Sequence, residues 1–242
     1  VIAYDSTGRF LHLYSAAGGG PGEFRAGPLL FPGPQNTVWA LDQNRLVRLE
    51  QRFRHIDTRN LGLQFFVSNL LVLSDSTVVV ARRTSAPGDS LFSVSLMDTS
   101  WNVTRSLERA SNRYGLALLT PATGGGFWTL GINQLELRKY SNRGELDQSV
   151  EVRSPFFEPW DAVPSSEGLD GFDVPPRSRH NVIYQAPNGR LVILTAVADP
   201  DWTPMPSNRM FNPAELDESA LYDTVLSVVD VTNGRTIGTR RV

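Results

Sequence analysis

The sequence predicts an all-β chain assembled from a repeated antiparallel unit, and three observations predict it. Continuous β-branched runs recur, such as Thr77-Val78-Val79-Val80-Ala81 and Leu191-Val192-Ile193-Leu194-Thr195, of the kind that suits a pleated surface packed on both sides. Turn signals punctuate them roughly every 8–12 residues, too often for helices. One hairpin also returns at a near-constant interval. Its equivalent positions Tyr4, Leu49, Met97 and Tyr140 lie 45, 48 and 43 residues apart, and Val229 follows after 89. Four strands in roughly 40–50 residues is the spacing of β-propeller blades, with a large insertion in the last one.

The recurring hairpins read as the third and fourth strands of five blades. They begin at Val1-Ile2-Ala3-Tyr4, Arg45-Leu46-Val47-Arg48-Leu49, Phe92-Ser93-Val94-Ser95-Leu96-Met97, Leu135-Glu136-Leu137-Arg138-Lys139-Tyr140 and Val225-Leu226-Ser227-Val228-Val229. The first and second strands of each blade lie between them. Blade two has Leu29-Leu30-Phe31 and Thr37-Val38-Trp39-Ala40-Leu41; blade three has Leu70-Leu71-Val72-Leu73 and Thr77 to Ala81. Blade four has Leu116-Ala117-Leu118-Leu119 and Phe127-Trp128-Thr129-Leu130, joined through Gly124-Gly125-Gly126. Blade five has Val182-Ile183-Tyr184 and Leu191 to Thr195, joined at Pro187-Asn188-Gly189. Blade one shows only its outer hairpin. The expectation is therefore one propeller domain over 1–242 that holds about four and a half blades of a six-bladed ring, incomplete as given, because open sheet edges invite aggregation. A five-bladed ring with an unusual partition is the alternative.

Ahead of the first complete blade stands Gly18-Gly19-Gly20-Pro21-Gly22-Glu23-Phe24, followed by Pro28-Leu29-Leu30-Phe31. Glycines that permit any backbone angle, beside a proline that fixes one, make a tight turn into a sheet. The run resembles the blade-opening motif of NHL-like six-bladed β-propellers, a glycine-rich turn ending Gly-Pro-Gly-Glu-Phe before the innermost strand. Gly27 departs from that pattern by displacing the usual proline one position, and blade five departs further. The resemblance implies a binding surface for proteins, peptides or RNA. It identifies architecture rather than activity, since propellers host many functions. The same glycines do not make a phosphate loop: no Lys-Ser/Thr follows, and the run leads into strand rather than helix.

Composition narrows the field. The 242 residues carry 23 basic and 25 acidic side chains, a net charge of −2, which argues against a general nucleic-acid binder. No apolar run approaches the ~18 residues of a membrane span. The absence of cysteine excludes disulfides, thiolate metal sites and cysteine nucleophiles, and fits an extracytoplasmic protein, periplasmic or secreted. Lys139 is the single lysine, a bias that reads as a GC-rich bacterial genome.

The insertions carry the most information. Connections at one edge of the blades are short throughout, whereas the other edge holds both long segments, 154–180 before the first strand of blade five and 199–222 between its second and third. By topology they share a face. Long loops in a compact domain are functional or disordered, and these contain Phe156, Phe157, Trp160, Phe172, Trp202, Met205, Met210 and Phe211, which a disordered linker would lack. Asn212-Pro213-Ala214-Glu215-Leu216 reads as a capped helix start. Eleven carboxylates from Glu158 to Asp223 face three arginines, Arg177, Arg179 and Arg209, in these segments, a net −8 against +6 for the remainder.

The expected function is a non-catalytic recognition or scaffold module. It docks a protein partner, as an accessory subunit of an exported or membrane-associated assembly. Phe157, Trp160, Asp161, Asp199, Asp201, Trp202 and Met205 form the candidate contact surface, aromatic anchors with carboxylates that steer a basic partner. The competing structural reading has the tryptophans staple the insertions onto the propeller. No cofactor is expected. The alternative function is a calcium-dependent hydrolase of the six-bladed lactonase type; those enzymes hold calcium in the central channel, and Asn69, Asn133 and Asn181 are the residues open to that reading. Asp199-Pro200-Asp201 offers hard oxygen ligands but matches no dedicated calcium loop. His12, His55 and His180 fall in different blades, His12 and His55 near outer strands where solvated rim positions are expected rather than a metal triad. No Gly-x-Ser-x-Gly elbow is present, and Asn102-Val103-Thr104 is a formal glycosylation sequon in a hairpin turn.

Overall fold

The computed structural model describes residues 2–4, 7–13, 17–43, 45–50, 54–61, 65–74, 76–84, 92–98, 100–110, 116–160, 174–203 and 221–242. Strands β1 (Ile2–Tyr4) and β2 (Phe10–Leu13) pair as a two-stranded sheet. Four antiparallel sheets of four strands follow. Blade two comprises β3 (Leu29–Pro32), β4 (Val38–Asp42), β5 (Arg45–Leu49) and β6 (His55–Asn60). Blade three comprises β7 (Phe65–Ser74), β8 (Thr77–Thr84), β9 (Phe92–Asp98) and β10 (Val103–Ala110). Blade four comprises β11 (Ala117–Pro121), β12 (Phe127–Gly131), β13 (Glu136–Tyr140) and β14 (Leu146–Glu151). Blade five comprises β15 (Arg179–Gln185), β16 (Leu191–Ala198), β17 (Tyr222–Val229) and β18 (Thr236–Arg241). Each sheet is a meander in chain order, and the first strands stand side by side, β3 against β7, β7 against β11 and β11 against β15. Radial sheets joined along their first strands are the architecture of a propeller.

The cores lie between blades, and the pleat of each second strand explains them. In β8, Val78 and Val80 turn toward blade two, where they join Trp39, Leu41 and Leu46. Val79 and Ala81 turn the other way, toward Ala117, Leu119, Phe127 and Tyr140 of blade four. Successive side chains on a strand point to opposite faces, so a strand between two neighbours must be apolar at every position. The three valines are fully buried. Trp128 and Leu130 meet Ile183, Leu191, Ile193 and Val229 in the same way between blades four and five. At roughly 1.5–3 kcal/mol for each large apolar side chain buried, these interfaces hold the blades in order.

The glycine-rich run is a turn fastened from inside blade two. Arg45, 5% exposed, donates from Nη1 to the Gly19 carbonyl (2.9 Å) and from Nη2 to the Glu23 carbonyl (2.8 Å). Its Nη2 also pairs with the buried carboxylate of Asp42 at 2.6 Å. Asp42 in turn accepts the backbone N–H groups of Arg25 (2.8 Å) and Ala26 (3.2 Å). Burial pushes the Asp42 carboxyl up, but these N–H donors and Arg45 outweigh it and leave the pKa below the ordinary carboxylate value. The Glu23 carboxylate closes the turn on the Gly20 N–H at 2.7 Å.

Candidate functional site

Both long connections of blade five leave its sheet at one edge. Arg179 is level with Ala196 in the β15–β16 ladder, and Ala196 with Thr224 in the next. The chain therefore enters β15, leaves β16 and enters β17 at the same end. The connections run a little shorter than the sequence predicts, because Arg179 and His180 belong to β15 and Tyr222 to β17. The candidate residues Asp161 and Met205 lie outside the described residues, with Phe172, Met210, Phe211 and the Asn212–Leu216 segment.

The first connection is tied to blade four. Trp160 donates its backbone N–H to the Asn133 carbonyl (3.2 Å), and the Asn133 amide returns a hydrogen bond to the Trp160 carbonyl (2.6 Å). The indole Nε1 of Trp160 donates to the Ser178 carbonyl (2.8 Å), and the Arg177 guanidinium lies 5.6 Å from the ring centroid. The indole remains half-buried. Phe157 is corrected from contact residue to anchor: it is 5% exposed and stacks on the His180 ring at 4.0 Å. A side chain so placed holds the segment down and presents no surface.

His180 lies buried beside Phe157. It is 2% exposed, with Nε2 at 3.0 Å from the Gln134 carbonyl and Nδ1 at 2.9 Å from the Thr195 hydroxyl. A carbonyl only accepts, so Nε2 carries the proton and Nδ1 accepts from Thr195. Burial lowers the pKa to about 4 although the Gln134 hydrogen bond opposes it. Both nitrogens are thus occupied in a neutral ring, which leaves no lone pair for general-base work. Nothing in the local sequence, Arg177-Ser178-Arg179-His180-Asn181, signals this burial.

The second connection opens with a tight turn. The Trp202 N–H donates to the Asp199 carbonyl (3.1 Å), and the Asp199 carboxylate accepts the Asp201 N–H (2.7 Å). Asp199 is thus a turn-forming residue. Asp201 is exposed and Trp202 half-buried. The described part of this edge is less acidic than composition suggests, since Asp223 pairs with Arg241 at 2.7 Å. Arg179 lies 4.8 Å from the Tyr222 ring centroid.

The three asparagines open to the calcium reading are placed differently. Asn69 accepts the neighbouring Leu70 N–H (2.8 Å); Asn133, in a loop rather than an inner strand, donates its amide N–H to Trp160 while its buried Oδ1 has no hydrogen-bond partner among the described residues; and Asn181 is exposed on β15. Among the described residues no three His, Asp or Glu side chains gather as a metal site. His55 meets Thr58 at 2.9 Å on an exposed outer strand, and His12 lies on β2. Asn102 of the sequon hydrogen-bonds Asp98 through its side-chain amide (3.0 Å).

The fold defines a β-propeller chain. No protein-family model matches the sequence, the NHL-like repeat included, and no curated protein matches it. Among solved structures the chain is similar to a member of the DUF4221 family from Bacteroides vulgatus, with a TM-score of 0.60 at 11% identity over 98% of this chain and 72% of that one. It is similar also to a predicted exported protein of Bacteroides fragilis, with a TM-score of 0.55 at 11% identity over 99% of this chain and 64% of that one. A weaker likeness is to the propeller of Dos1, with a TM-score of 0.46 at 11% identity over 87% and 59% of the two chains. At such identities the likeness is one of fold. Among the described residues no helix is long and apolar enough to cross a membrane.

Proposed function

We propose that this protein is a non-catalytic recognition module that docks a protein partner through the insertion-bearing edge of blade five. The observation that carries the reading is the placement of two half-buried tryptophans, Trp160 and Trp202, on the connections that leave that one edge. Interface energy concentrates in such aromatics once they are desolvated. Asp201 and Asp199, with Asp161 and Met205 further along the connections, complete the surface, and the carboxylates speed encounter with a basic partner. Phe157 supports it from beneath. The module needs no cofactor and serves an exported or membrane-associated assembly as an accessory subunit. The glycine-rich motif's resemblance to NHL-like binding propellers supports this reading. The lack of cysteine and the exported neighbour support an extracytoplasmic location.

The test is capture from cell-envelope extract by the purified protein and by Trp202→Ala. The expected result is a partner retained by the parent protein and lost about tenfold in the variant. The melting temperature should stay nearly unchanged, and association should slow in added salt. Capture that survives while the melting temperature falls would make Trp202 a structural staple. Calcium calorimetry is the parallel control, since a tight stoichiometric site would favour the hydrolase reading.

A further inference from the structure

Opposite the insertion-bearing edge, blades two and three enclose a cleft of about 390 Å³, within the range of small-molecule sites. Pro34, Trp39 and Ile56 of blade two and Trp101 of blade three supply its apolar walls, and Arg48 and Arg59 supply its charge. Among the described residues no carboxylate lines it. Asp57 pairs with both arginines, through Nε (2.5 Å) and Nη2 of Arg48 and through Nε of Arg59 at 3.3 Å. Two guanidinium forks on one carboxylate leave a net positive charge and more donors than that carboxylate can satisfy.

The backbone at Trp101 sets this cleft apart from ordinary packing between blades. The β9–β10 turn closes through Trp101 N–H to the Asp98 carbonyl (2.9 Å) and Asp98 N–H to the Asn102 carbonyl (3.0 Å). The β13–β14 turn makes the same two bonds at Ser141, Gly144 and Glu145. The left-handed position belongs to Gly144 there, to Gly8 in the β1–β2 turn and to Gly234 in the β17–β18 turn. In blade three a tryptophan takes it, at φ +67°, a conformation that residues with a Cβ disfavour. The corresponding Phe53 of blade two lies outside the described residues. Gln35, in the β3–β4 turn and also on the cleft, is left-handed too at φ +52°. Outliers of this kind collect at ligand sites. Trp101 packs against the core shared by blades two and three yet stays half-exposed, so its indole forms a wall rather than a plug.

We propose that this cleft binds a small carboxylate with a flat apolar body, its charge on the Arg48–Arg59 pair and its body against the Trp101 indole. The site is independent of the blade-five surface. The test is calorimetric titration of the purified chain with 2-naphthoate, against 2-naphthamide under the same conditions. The expected result is saturable binding of the acid, at least about tenfold weaker binding of the amide, and a loss of about tenfold or more in Trp101→Gly and in Arg59→Gln. Arg59 is half-exposed, so its substitution reports on the site even where Trp101→Gly fails to fold. Equal binding of acid and amide, no saturation at about 5 mM, or unchanged binding in Arg59→Gln would each overturn the proposal.

Discussion

The glycine-rich turn of blade two and the edge of blade five look alike as sequence: each is an irregular stretch dense in special residues. They differ in where their polar groups end. In blade two, the Asp42 carboxylate and both Nη groups of Arg45 are spent on the backbone of residues 19–26 and on each other. At blade five, Asp201 is exposed and the indoles of Trp160 and Trp202 are half-buried. A motif whose donors and acceptors close on themselves builds the fold. The proposed recognition at blade five draws instead on accessible surface, that of the exposed Asp201 and of the half-buried Trp160 and Trp202.

The comparison breaks most sharply at Asp42. Asp42→Ala leaves Arg45 as a buried unpaired charge and is expected to lose about 3–5 kcal/mol in urea denaturation. A loss below about 1 kcal/mol would show that solvent reaches the guanidinium.

Next in size is the pH response of His180, whose pKa is about 4 in the fold against the ordinary 6.5. The unfolded chain binds the proton and the folded chain does not between these values, so stability is complete above about pH 6.5 and declines as pH falls toward 4. The expected loss is about 3 kcal/mol. His180→Leu should be less stable at pH 7 but flatter across that window. An unchanged slope in the variant would assign the proton uptake elsewhere.

The repeated hairpin turns sharpen the contrast at smaller scale. A Cβ on Gly144 would press on Leu96 and Leu107 of blade three, at φ +75°. Gly144→Ala is expected to lose about 1–2 kcal/mol from the backbone alone, read as a lower melting temperature. The smallest effect belongs to the Asp223–Arg241 pair, whose side chains are 25% and 44% exposed. Arg241→Ala should change stability by less than about 1 kcal/mol and shrink further in salt.

Much of the fold was legible because it depends on local periodicity. Val78 to Val80 had to be a strand buried on both faces, and the intervals from Tyr4 to Tyr140 gave the blades. The Asp42–Arg45 anchor was not legible, since its partners are backbone atoms brought near only by the folded register. At the candidate site the sequence located both connections, but it assigned Phe157 to the surface and gave no sign that His180 lies beneath it. Those two residues bury each other, which composition does not report. Trp101 was hidden differently: aligning the hairpins places it against Gly144, but only the backbone angle gives that substitution its meaning.

Hydrogen–deuterium exchange of the chain alone and with its captured partner tests the central claim most directly. The account predicts protection on binding in 154–160, 174–178 and 199–203, with 33–37 and 98–104 on the opposite edge unchanged. Protection confined to 33–37 and 98–104, with the blade-five connections exchanging as before, would contradict it.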